Sequence, residues 1–102
     1  MVKHIVFWTL KERAEGGSRE ENARRVKAAL EGLAGRIPGL LEIEVGIDFA
    51  RSEASFDVAL YSTFVDRAAL DAYQAHPEHR AVADLIARVR EKRAVVDYEA
   101  RG

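Results

Sequence analysis

The sequence predicts an α+β fold with the element order βαββαβ. Three observations predict it. Strand-forming residues open and close the chain, at 2–11 and 93–99. Two further alternating segments, 40–49 and 55–64, lie together in its middle. An amphipathic helical pattern follows the first strand, and a second, interrupted one precedes the last.

Residues 2–11 are rich in Val, Ile, Phe, Trp and Thr. Alternation puts His4, Val6, Trp8 and Leu10 on one face and Lys3, Ile5, Phe7 and Thr9 on the other. Both faces are largely apolar, which places this strand centrally. Gly16-Gly17-Ser18 then breaks the chain, and Ser18 with Glu21 has capping-box spacing. Ala23, Val26, Leu30, Leu33, Ala34 and Ile37 recur at helical spacing, against a solvated face of Glu20, Arg24, Lys27 and Glu31. The helix is expected to end at Gly35, before the Pro38-Gly39 turn.

Residues 40–49 alternate strictly, with Leu41, Ile43, Val45, Ile47 and Phe49 on one face, as on a strand near a sheet edge. In 55–64, Phe56, Val58, Leu60 and Phe64 oppose Asp57, Ala59, Tyr61 and Thr63. The short connection between these strands makes them an antiparallel hairpin. Asp66 can cap a second helix, in which Leu70 and Tyr73 share a face. His76-Pro77 interrupts it, because the residue before proline is pushed out of the helical region, while proline suits the first turn of a new helix. Val82, Leu85, Ile86 and Val89 form the next apolar stripe. Arg80, Arg88, Arg90, Lys92 and Arg93 are expected as a basic end to that helix, favoured by its dipole and needing no ligand.

This order is the ferredoxin-like split βαβ arrangement, a four-stranded antiparallel sheet with helices on one face. Right-handed crossovers put the first and third strands in the centre. The helices cover one sheet face, and the other keeps large apolar residues. Such a face marks an interface, which predicts a homodimer through the open sheet face, closing into a dimeric α+β barrel. A monomer with a polar sheet face is the alternative.

At 102 residues the chain is expected to form a single domain spanning 1–102. A net charge of −1, with no basic run, argues against nucleic acid as a partner. The absence of cysteine excludes disulfide scaffolds, thiol catalysis and cysteine-ligated metal sites. The apolar N-terminal stretch falls short of the roughly 20 residues of a membrane span and lacks a cleavage-site pattern. No membrane association and a cytoplasmic location are therefore expected. No glycine-rich phosphate loop is present, and no cofactor is implied.

The chemistry-bearing residues are few. Of the three histidines, His4 lies on the first strand, and His76 and His79 flank Pro77-Glu78 at the helix break. Their spacing is not that of a zinc-protease motif, and no metal site is assigned. Histidine titrates near neutrality and suits proton transfer. Tyr73, six residues before His79, can approach the same cavity across the break, and His4 joins them if it points to the helix side. Val6, Trp8, Leu30 and Val82 are candidate apolar lining. Asp57 can pair with His4 or an arginine, and His76 is a further candidate ligand residue. Each has a structural alternative: His4 as a satisfied half-buried histidine, His76 as a cap, Asp57 as a carboxylate bonded to backbone, and the apolar residues as plain core.

Three segments carry a family resemblance. Val2-Lys3-His4-Ile5-Val6-Phe7-Trp8, Tyr73-Gln74-Ala75-His76-Pro77-Glu78-His79 and Val95-Val96-Asp97-Tyr98 resemble the stress-responsive α/β barrel (Dabb) family, in order and over almost the whole chain. The resemblance implies a dimeric ferredoxin-like barrel. Most members have no assigned role. One branch resembles cofactor-free polyketide cyclases, in which a helix histidine acts as base beside a tyrosine. Those positions match His79 and Tyr73, and the strand histidine matches His4. Two positions depart from that branch: Asp57 stands where it has a third-strand histidine, and Leu30 where it has a tyrosine.

The expected function is binding of a small apolar or aromatic carbonyl compound between sheet and helices. The alternative is a cofactor-independent cyclase, lyase or isomerase with His79 as base and His4 or Tyr73 holding the oxyanion. A cofactor-free monooxygenase has less support, because the expected cavity holds few further polar residues. A purely structural dimerisation module would enclose no cavity.

Overall fold

The computed structural model describes residues 1–101. Strand β1 (Val2–Leu10) is followed by a small hairpin of β2 (Arg13–Ala14) and β3 (Gly17–Ser18), and by helix α1 (Arg19–Glu31). Strands β4 (Leu40–Ile47) and β5 (Val58–Phe64) come next, then helices α2 (Arg67–Ala75) and α3 (Pro77–Val89) and strand β6 (Arg90–Glu99). The four long strands form one antiparallel sheet in the order β4-β5-β1-β6. The expected ferredoxin-like architecture is therefore present, with β1 and β5 central.

The β2–β3 hairpin was not expected from Gly16-Gly17-Ser18. Its turn residues, Glu15 and Gly16, both have positive φ (49° and 73°), the geometry a two-residue hairpin turn requires. Ser18 makes the full capping box with Glu21, as its spacing predicts.

Helix α1 stops at Glu31 and is capped at Gly32, short of Gly35. Beyond it the Leu33 and Ala34 amides donate three residues back, to Leu30 and Glu31, so the chain tightens into turns. Leu33 and Ile37 stay buried in those turns, which is why the apolar periodicity outlasts the helix. The Glu31 carboxylate accepts from the Val45 amide and ties the helix end to β4.

Two irregularities alter the expected strand faces. Leu40 and Glu42 pair with consecutive residues of β5, so Leu41 is bulged out and exposed, and Leu40 takes its place against the core. Phe49 lies beyond β4 and is almost fully exposed. The β5 ladder begins at Val58, so Phe56 and Asp57 do not continue its alternation. Phe56 instead meets Phe7 on the outer face, ring centroids 5.9 Å apart.

The core lies between the helices and the face of β1 that carries His4, Val6, Trp8 and Leu10. Val26 and Leu30 of α1, Leu60 and Phe64 of β5, and Tyr73 of α2 fill it. Strand β6 begins at Arg90, three residues before the expected start. Arg90, Lys92 and Arg93 therefore belong to a strand and not to the basic end of a helix.

Candidate functional site

The site is built at the helix break. His76 has extended backbone (φ −66°, ψ 134°), as the residue before a proline should. Its amide donates to the Tyr73 carbonyl and ends α2, and its Nδ1 accepts from the Glu78 amide to start α3. His76 is thus a cap to both helices. The sharp redirection brings Tyr73, in the last turn of α2, onto His79, in the first turn of α3, with ring centroids 4.2 Å apart. Tyr73 also meets the edge of His4 (6.2 Å) and packs on Phe64 (4.9 Å).

His4 is buried on the helix side of β1, 3% exposed. Antiparallel register sets it directly opposite Asp97 on β6, and cross-strand partners share a face. Its Nδ1 donates to the Asp97 carboxylate. This fixes the ring's orientation and leaves Nε2 as the nitrogen available to other partners.

A cavity of about 160 Å³ opens between sheet and helices. His4, Val6 and Trp8 of β1, Leu30 of α1, Leu60 of β5 and His79 of α3 line it. Ala83, Ile86 and Ala87 of α3 and Arg90 and Arg93 of β6 complete the wall. Its size matches that of an apolar cavity of about 150 Å³, which accommodates benzene.

Burial sets the electrostatics. It pushes the Tyr73 phenol up to about 12, so the hydroxyl stays a proton donor at neutral pH. Burial also holds His79 below the ordinary histidine value. The Gln74 backbone opposes this, and the charges of His4, Arg93 and His76 reinforce it. Among the described residues, two buried side-chain polar atoms have no hydrogen-bond partner, the Tyr73 hydroxyl and His79 Nδ1. They belong to the two rings in contact at the break. Native proteins satisfy nearly all such groups, so a pair of them side by side points to a partner supplied from outside the chain.

The structure brings His4, His79, Val6, Trp8 and Leu30 to the cavity. Tyr73 stands behind it, against both histidines. Val82 packs against the core outside the lining. Asp57 lies elsewhere: its carboxylate accepts from the Leu10 amide at 2.7 Å and sits 3.9 Å from Arg19 Nε. It orients β1 at its far end and does not reach His4. Sequence reasoning missed Asp97, Arg90 and Arg93, whose positions depend on cross-strand register. No group of three or more His, Cys, Asp or Glu side chains able to hold a metal occurs among the described residues. No helix there is long and apolar enough to cross a membrane.

The stress responsive A/B barrel domain matches residues 2–100. The chain belongs to this family. Solved barrel-domain relatives agree over nearly the full length. A dimeric ferredoxin-like protein of unknown function from Bacteroides fragilis is 36% identical, with a TM-score of 0.83 over 97% of this chain and 95% of that one. A Dabb family protein from Mesorhizobium loti is 25% identical, TM-score 0.75, over 99% and 97% of the two chains. Hydroxynitrile lyase from Passiflora edulis is also 25% identical, TM-score 0.79, over 95% and 90%. Among curated proteins, none matches the chain.

Proposed function

We propose that this barrel-domain protein binds a small apolar or aromatic carbonyl compound in the cavity between β1 and α3. The observation that carries this reading is the unpartnered buried His79 Nδ1 on a ring that lines the cavity with His4, backed by the unpartnered Tyr73 hydroxyl on the ring packed behind it. Leaving such groups unsatisfied costs about 1–3 kcal/mol each, which a ligand oxygen would recover. The apolar wall of Val6, Trp8, Leu30 and Ile86 suits one ring or a short carbon chain. Titration with benzaldehyde, followed on the imidazole NMR signals, tests the proposal.

A second reading makes the same site catalytic, as a cofactor-independent cyclase or lyase. The likeness to a hydroxynitrile lyase and the lowered proton affinity of His79 favour it. Neutral His79 would take a proton from the carbon next to a bound carbonyl, and the C–H electron pair would pass to the carbonyl oxygen. The Tyr73 hydroxyl, held protonated, would donate to that developing oxyanion. The resulting enolate carbon would attack a second carbonyl, forming the new C–C bond, and the His79 proton would return to the alkoxide. Neutral His4 donates from Nδ1 to Asp97, so its Nε2 accepts; it can donate to the oxyanion only as imidazolium. Turnover of a β-polyketone by the wild-type protein, lost in His79→Ala, would separate this reading from simple binding.

The protein is further proposed to be a homodimer through the outer sheet face. That face presents Ile5, Phe7, Phe56, Tyr61, Val96 and Tyr98, of which Phe7, Val96 and Tyr98 are exposed. The dimeric Bacteroides fragilis relative supports the assignment. A cytoplasmic location belongs to the same reading. Its support is that the apolar run at 2–10 is taken up as a central strand of the sheet.

A further inference from the structure

The cavity carries a charge pattern that binding a neutral carbonyl compound does not use. Arg90 and Arg93 both line it, and no carboxylate does. Five other arginines, Arg19, Arg36, Arg51, Arg67 and Arg88, each face an acidic side chain. Among the described residues, neither Arg90 nor Arg93 makes an ion pair or a side-chain hydrogen bond. Two guanidinium groups at one cavity repel each other, and no carboxylate among its lining residues offsets that.

Their convergence has a specific structural cause. Residues three apart on a regular strand point to opposite faces. Thr9 pairs with Lys92, but Leu10 pairs with Arg90, so Glu91 is an extra residue in β6. This bulge resets the alternation. Arg93, opposite Trp8, and Arg90, opposite Leu10, then both lie on the helix-facing side. Bulges re-aim side chains in this way and are over-represented beside functional sites. Without the bulge, one of the two arginines would face away from the cavity.

We infer that the ligand of this cavity carries a carboxylate, which Arg90 and Arg93 clamp while its apolar, carbonyl-bearing part lies against Val6, Trp8, His4 and His79. The inference rests on the binding reading above and names the class of ligand. A guanidinium offers two parallel N–H donors that match a planar carboxylate. A carboxylate suits the site better than a phosphate. Helix α3 ends at Val89, so beside Arg90 it presents carbonyls and not amide donors, and no glycine-rich loop lines the space. The space also holds little more than one ring with one small substituent.

The test compares benzoate with benzamide, which share shape and differ in charge, by calorimetric titration. Wild-type protein is expected to bind benzoate at least about tenfold more tightly, the size of one charge-assisted hydrogen-bonding contact. In the Arg90→Gln/Arg93→Gln double variant the preference should fall to within about twofold, with benzamide affinity unchanged. Retained benzamide binding shows that the variant is folded and its cavity intact. Equal binding of the two probes by wild-type protein would overturn the carboxylate assignment and leave the pocket standing. So would a preference that survives in the double variant. Binding of neither probe would remove the pocket and the assignment together.

Discussion

Tyr73 is fully buried, yet its hydroxyl bonds to nothing in the chain. If that group exists for a ligand, removing it should help the empty protein and harm the complex. Tyr73→Phe keeps the ring packing on Phe64 and His79 and deletes only the unsatisfied oxygen. It is expected to raise stability by about 1 kcal/mol, a gain of roughly 4–8 °C in melting temperature for a domain of this size. Benzaldehyde binding should weaken in the same variant. A loss of stability would show that the hydroxyl is satisfied. His79 gives a pH-dependent counterpart. Burial holds it below its ordinary value of 6.5, so just below that pH the unfolded chain binds more protons at this ring than the folded protein. Its contribution is complete above pH 6.5 and is lost as the pH falls through the folded value. Glu20, Glu21 and Glu31, also held low, act only below their ordinary 4.5. Melting temperature should therefore fall on acidification below pH 6.5, and His79→Gln should flatten that part of the curve.

The turn between α1 and β4 shows what an element boundary needs. Gly39 has φ +84°, and a Cβ there would come within 2.5 Å of the Ala69 Cβ on α2. Gly35 has a similar φ of +75° but open space around it. Gly35→Ala should cost about 1 kcal/mol of backbone strain, and Gly39→Ala about 2–4 kcal/mol, because a clash with a packed helix is added. Urea denaturation midpoints would show the difference, and equal losses would contradict the packing at Ala69. At this scale the sequence was most legible where the signal is local. Ser18 and Glu21, Asp66 and His76-Pro77 mark their helix starts because capping depends on residues within one turn. The end of α1 was misplaced because apolar spacing continues through Leu33 and Ile37 in non-helical turns. The bulges at Leu41 and Glu91 were invisible because they exist only relative to a partner strand. The same reason explains the site. His4, Tyr73 and His79 could be found from strand alternation and a helix break, whereas Asp97, Arg90 and Arg93 required the register of β6 against β1.

For the whole molecule, the two faces of the sheet have different fates. The helices bury one, and the other leaves Phe7, Val96 and Tyr98 exposed, with Lys3 over the Tyr61 ring at 4.7 Å. Light scattering after size-exclusion chromatography should give twice the chain mass. Val96→Asp places a charge in the middle of that face, opposite Ile5, and should shift the mass to that of one chain. A wild-type monomer would contradict the interface. The cavity lies on the opposite side of the sheet, so the proposed ligand binding and the proposed dimer use different faces of one sheet.

The central claim is that His4 and His79 share one ligand-binding cavity while His76 serves only as a cap. Imidazole NMR during a benzaldehyde titration tests it most directly. The signals of His4 and His79 should move together and saturate at one ligand per chain, with His76 unchanged. Three histidines that ignore the ligand, or His76 moving while His4 and His79 stay still, would contradict it.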